Sequence, residues 1–168
     1  MSRSAQKIIL DRTIILHPED SKTNVFIPFS LRKDYSSLEF VYSYEPKNCE
    51  DREKARELLL KGMETYVPAE YRGRLGSFGS PGFIEDFLPS VVNLLTLSLD
   101  APGRYLGCAH RHAPEQRHTV SAEFSSPGFF RHPPTAGDWR VLINVHAVVS
   151  RELRCRLKIL AYKDKGGG

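Results

Sequence analysis

Residues 139–149 read WRVLINVHAVV and residues 153–161 read LRCRLKILA, and the period of these two runs decides the fold class. In the first, Trp139, Val141, Ile143, Val145 and Ala147 occupy alternate positions, with Arg140, Leu142, Asn144 and His146 between them. In the second, Leu153, Cys155, Leu157, Ile159 and Ala161 alternate with Arg154, Arg156 and Lys158. A period of two belongs to a strand with one buried and one solvated face. The two runs are expected to form an antiparallel pair joined through residues 150–152. The basic run on the second reads as a solvated strand face.

The pattern continues towards the N-terminus. In VVNLLTLSLD (91–100), Leu95, Leu97 and Leu99 share a face, with Thr96 and Ser98 opposite, and Asp100-Ala101-Pro102-Gly103 makes a turn. Short strands are expected near 104–109 and 117–124, followed by a turn-rich stretch from Ser125 to Asp138. LEFVYSY (38–44) alternates well. NVFIPFSL (24–31) contains Pro28, which lacks an N–H to donate and so places its strand at an edge or a bulge. KIILDRTIIL (7–16) reads as an opening strand or a bent pair of short strands.

Residues 49–67 differ in kind. Asn48 stands as the N-cap, and Glu50, Asp51 and Glu53 suit the positive end of a helix dipole. Ala55, Leu58, Leu59, Met63, Tyr66 and Val67 recur at helical spacing before Pro68. This helix is expected to pack its apolar stripe on the sandwich. Residues 68–90 carry Gly and Pro without periodicity and read as a long loop. Seven or eight strands without a βαβ rhythm define a mostly-β chain, an antiparallel sandwich or jelly roll. It is expected as one domain over 1–162, with a helical insertion at 48–67, the loop at 68–90 and a flexible tail at 163–168.

A chain of 168 residues is long enough to fold around its own core without a disulfide or metal. The net charge of +4 is scattered rather than gathered in a stripe, which argues against nucleic-acid binding. Three unevenly spaced cysteines, Cys49, Cys108 and Cys155, do not make a disulfide framework or a zinc ribbon. MSRSAQKIIL lacks a signal-peptide apolar core, and no apolar run is long enough to span a membrane, so a reducing, cytoplasmic setting is expected.

His110-Arg111-His112 is an H-x-H pair, with Glu115 and His118 close behind and His146 as a distant partner. Two imidazoles two apart on a strand face the same side, where they could chelate one divalent metal, as in a cupin. Against this, Pro114 interrupts the strand, and His146 sits opposite Trp139 rather than facing inward. A polar hairpin with hydrogen-bonded histidines is the simpler reading. Cys108 lies beside the group, yet a small buried thiol is its ordinary role. Gly76-Ser77-Phe78-Gly79-Ser80 lacks the Lys of a phosphate loop. Phe129, Phe130 and Arg131 sit in a Pro/Gly loop, either as an exposed patch for a partner or a sugar, or tucked against the sandwich end, which is favoured. No residue is assigned a catalytic role.

The order NLLTLSLDAPGRYLGCAHRH (93–112), SSPGFF (125–130), AGDWRVLINVHAVVS (136–150) and the closing strand resembles the N-terminal β-sandwich domain that precedes the PHP-type metallohydrolase domain in proteins of the CehA/McbA kind. A more distant likeness is to the jelly-roll domains attached to secreted peptidases. The resemblance spans roughly residues 8–162 and rests on turn and core residues. It implies an accessory domain without its own cofactor, because in that family the metal ligands belong to the following domain, which opens with a histidine-rich segment. That segment would begin near Tyr162-Lys163-Asp164, so no catalytic residue carries over. The expected role is protein docking or substrate recognition, with a PHP-type metallohydrolase domain or another protein as partner. The alternatives are a cupin-like metal enzyme and a self-associating structural protein that forms a homo-oligomer.

Overall fold

The computed structural model describes residues 5–72 and 80–163. Eight strands run as β1 (Ala5–Leu16), β2 (Thr23–Leu31), β3 (Ser37–Glu45), β4 (Leu94–Ala101), β5 (Arg104–Ala109), β6 (Glu115–Ser121), β7 (Gly137–Ala147) and β8 (Leu153–Lys163). They form two antiparallel four-stranded sheets, in the orders β1-β8-β3-β6 and β2-β7-β4-β5. The first strand pairs with the last, the second with the seventh, the third with the sixth and the fourth with the fifth. A long antiparallel ribbon rolled onto itself has this pairing, which is the topology of a jelly roll. β1 is one continuous strand with a register shift between Ile8 and Leu10.

This order corrects the expected pairing of the last two strands. β7 and β8 belong to opposite sheets, and residues 148–152 cross between them. Both strands bury alternate residues because they face one shared interior from opposite sides; alternation alone cannot distinguish that arrangement from a hairpin. Trp139, Val141 and Ile143 enter from one sheet, and Leu153, Leu157, Ile159 and Phe40 from the other. Phe29 meets Phe40 edge-on at 6.3 Å and lies 6.1 Å from Trp139, whose indole N–H donates to the Thr135 carbonyl at 3.0 Å. Each such buried side chain contributes roughly 1.5–3 kcal/mol through apolar burial. Pro28 does lie on an edge strand, where β2 pairs only with β7.

The insertion between β3 and β4 differs from expectation at both ends. Helix α1 spans Arg52–Tyr66 and is capped by Asp51, whose carboxylate accepts the Lys54 N–H at 3.0 Å. Asn48 is not the cap. It bridges to Val92, and the Cys49 N–H donates to the Val91 carbonyl, so the chain stays extended until residue 51. The stretch after Pro68 is not a bare loop. It contains α2 (Ala69–Arg72), α3 (Pro81–Phe87) and a 3-10 turn at Leu88–Ser90. Ser80 caps α3 by accepting the Phe83 N–H, and Pro81 opens its first turn. The apolar side of α1 meets α3 and Leu88 rather than the sheets, so Ala55, Ile84 and Leu88 form a separate small core. Residues 73–79, with most of the glycine-rich stretch noted above, and residues 164–168 of the expected tail lie outside the described residues.

Candidate functional site

The outward face of the β2-β7-β4-β5 sheet carries cross-strand rows set by register. Asn24, Asn144 and Thr96 make one row, Phe26, Leu142, Ser98 and Cys108 the next, and Pro28, Arg140, Asp100 and Tyr105 a third. In the third row Arg140 donates to Asp100 and lies over the Phe26 ring, 5.0 Å from its centroid. Asn24, Asn144 and Thr96 of the first row, Ser98 and Cys108 of the second and Tyr105 of the third, with His146, His110 and Lys22, line a groove of about 570 Å³.

The groove floor is a hydrogen-bonded network. The Asn144 amide donates to Ser98 Oγ at 2.8 Å and Thr96 Oγ1 at 3.2 Å. The Cys108 thiol donates to Thr96 Oγ1 at 3.7 Å, which lies 2.9 Å from His146 Nε2. Thr96 Oγ1 thus meets the Asn144 amide, the Cys108 thiol and the His146 ring at once. Thr96 and Ser98 are only 2% and 4% exposed although they lie on the outer face, so they form a floor rather than a solvated rim. Asn144 Oδ1 and His146 Nδ1 have no partner among the described residues.

The histidines of the candidate metal site are dispersed. β5 ends at Ala109, so His110 and His112 sit exposed in the connection to β6 and not on a strand. Pro114 and the Gln116 side chain explain this. Gln116 donates to the Arg111 and Ala113 carbonyls and holds the connection in an irregular path. Gln116 Oε1 then accepts from His118 Nε2 at 2.9 Å. His118 points into the core, edge-on to Phe129 at 5.3 Å. Burial, then the Arg111 charge, hold its imidazole below the ordinary value. Glu115 lies on the outer side of the other sheet, in a charged groove with Lys47, Arg154 and Arg156. His110 and His146 share the first groove. Among the described residues no three His, Cys, Asp or Glu side chains are grouped to hold a metal ion.

The aromatic pair of the 125–131 loop is split. Phe129 is buried, whereas Phe130 is 61% exposed under the Arg104 guanidinium, and Arg131 is exposed. The split comes from Gly107 and Gly128, both at positive φ and in close backbone approach, which lets the loop pair with the open edge of β5. A Cβ on either glycine would collide with the other strand's backbone. Leu106 accepts the Phe130 N–H at 2.7 Å, and this pairing turns Phe129 inward. The basic run of β8 is partly answered in place: Arg156 forks onto Asp11 at 3.0 and 2.8 Å, a bond that lowers the Asp11 carboxyl from its usual value.

Thr96, Ser98 and Asn144 could be assigned to outward faces from periodicity, but their meeting depends on β4 lying beside β7, which no local pattern encodes. The role of Asn93 was missed. It is fully buried at the sheet crossing, and its only signal was a polar residue beside an apolar run.

No protein-family model matches the chain, and no curated protein matches it. Among solved structures, a protein from Sulfurospirillum deleyianum is 12% identical, with 93% of this chain and 98% of that chain covered, at a TM-score of 0.29. A likeness at that level carries no argument about fold or function.

Proposed function

We propose that this chain is a non-catalytic recognition domain, an accessory jelly roll that presents the groove on its β2-β7-β4-β5 face for substrate recognition or protein docking. The observation that carries this is the network Cys108–Thr96–His146 and Asn144–Ser98, whose hydrogen-bonding capacity holds a fixed surface together. The dispersal of His118, Glu115 and His146 over the core and two different faces supports the same reading. The resemblance to the domain that precedes PHP-type metallohydrolases supplies the class of partner: such a hydrolase domain, whose substrate the groove would help to select. A reducing, cytoplasmic setting belongs to the reading, in keeping with three unpaired thiols. No helix among the described residues is long and apolar enough to cross a membrane.

The test is a phosphoesterase assay on the purified chain with added Mn²⁺ or Zn²⁺, beside elemental analysis. The expected result is no turnover and no stoichiometric metal. Robust turnover abolished by Cys108→Ala or His146→Ala would overturn the proposal. Self-association is the rival that solution mass would reveal. Pro28 weighs against it at the β2 edge, because it removes an N–H that an added strand would need.

A further inference from the structure

We infer that the groove on the β2-β7-β4-β5 face takes a neutral saccharide unit. This inference rests on the recognition reading above and goes further by naming the chemistry recognised.

Apart from Lys22, the groups left free in the groove carry no formal charge and are mixed in sense. Asn144 Oδ1 accepts, and His146 Nδ1 can donate or accept according to the ring tautomer; Asn24 and Tyr105 can do both, and neither makes a side-chain hydrogen bond among the described residues. A sugar hydroxyl is donor and acceptor at once, so a mixed set matches it; a row of donors alone would suit an anion. Asn24 and Asn144 are direct cross-strand partners, and Asn144 and His146 alternate on one strand. Neighbouring hydroxyls of one ring can therefore be engaged from two sides. The network beneath fixes these groups before binding, which lowers the ordering cost of recognition.

Tyr105 supplies the apolar surface. It is 55% exposed at the β5 side and has no ring partner among the described residues. Phe26 is less suitable, because Arg140 already lies over its ring. The C–H face of a sugar ring packs on an aromatic surface of this kind. The charge pattern argues against other ligands. Among the described residues no carboxylate lines the groove and Lys22 is its one formal cation, whereas the groove on the opposite sheet mixes Arg154, Arg156 and Lys47 with Glu45 and Glu115. The volume of about 570 Å³ falls in the range of small-ligand sites.

The experiment is a titration of the full chain, followed by ¹⁵N-resolved NMR, with maltotriose, cellotriose and xylotriose, and separately with glucuronate and inorganic phosphate. The expected result is saturable shifts at Asn144, Thr96 and Tyr105 with at least one trisaccharide. Tyr105→Ala and His146→Ala, both at exposed positions, should each weaken binding roughly tenfold while leaving the spectrum folded. Shifts at these residues with phosphate or glucuronate alone would overturn the neutral-saccharide assignment and leave the groove as a recognition face. Saccharide binding that maps elsewhere, or that both variants retain at full strength, would overturn the groove as the site. Silence with every probe would overturn the inference, and turnover in the phosphoesterase assay would separately remove the reading beneath it.

Discussion

Asn93 should be among the most costly residues to truncate in this fold, although it touches no groove. It is fully buried where β3 ends, β4 begins and the chain crosses from β7 to β8. Its amide N–H groups donate to the Pro46 carbonyl at 2.9 Å and Ser150 Oγ at 2.7 Å, and its Oδ1 accepts the N–H groups of Val149 at 2.7 Å and Ser150 at 3.2 Å. Asn93→Ala removes all of these and leaves the Pro46 carbonyl and the Val149 and Ser150 N–H groups without this partner. At about 0.5–1.5 kcal/mol net per bond, the four sum to about 2–6 kcal/mol, a large share of the 5–15 kcal/mol that holds a typical domain together. For a chain of this size the melting temperature should fall by about 5–20 °C. Asn93→Asp keeps the acceptor but faces a carboxylate towards the Pro46 carbonyl, so it should recover only part of the loss. The assay is thermal and urea unfolding by circular dichroism, paired with amide exchange. Protection should drop first at Val149 and Ser150. A loss below about 1 kcal/mol, within the ordinary range for uncritical sites, would refute the reasoning. So would unchanged exchange at the crossing.

Tyr42 should behave in the opposite sense. Its hydroxyl is buried beside the Cys155 thiol with no nitrogen or oxygen partner among the described residues, and Tyr42→Phe is expected to be neutral or to stabilise by about 1–2 kcal/mol in urea unfolding, a loss of similar size being the contrary result. Burial pushes the Cys155 thiol up to about 12, so an alkylating reagent at neutral pH should leave it unmodified in the native chain and label it only on unfolding. Gly107→Ala puts a methyl group into the Gly128 carbonyl and should destabilise by about 3 kcal/mol or more, releasing Phe129, which a rise in hydrophobic-dye binding would report. His118 is held neutral by burial, so the unfolded chain binds its proton at a higher pH than the folded one. Stability should decline as pH falls below about 6.5, the unfolded value, and level off below the lowered folded value. His118→Gln should flatten that slope in urea titrations between pH 7 and 5, and an unchanged slope would contradict the assignment.

Strand identity was legible because burial imposes a period of two, and Leu95, Leu97 and Leu99 or Leu153, Cys155 and Leu157 record it directly. Pro28 was legible for a chemical reason, the missing N–H, and β2 is an edge strand. Strand order was not legible. Two strands on opposite walls of one interior carry the same alternation, so β7 and β8 looked like a hairpin while residues 148–152 in fact change sheets. The same limit hid the groove, since Thr96 on β4 and Asn144 on β7 are neighbours only in three dimensions. The placement of the H-x-H pair was not legible for a different reason. His110 and His112 are spaced for one strand face, but β5 stops one residue before them, and Gln116 holds the connection by its side chain. Local cap chemistry was partly legible: the acidic first turn of α1 was visible, yet Asp51 rather than Asn48 forms the cap, because pairing with residues 91–92 keeps 48–49 extended.

The groove, the buried Asn93 and the proposed recognition face all require β7 to lie between β2 and β4 rather than against β8. Inter-strand NOEs in the isotope-labelled chain measure this directly. Asn144 should show cross-peaks to Asn24 and Thr96, and Arg156 to Thr13 and Ser43. A ladder of cross-peaks linking 139–147 to 153–161 would contradict the account.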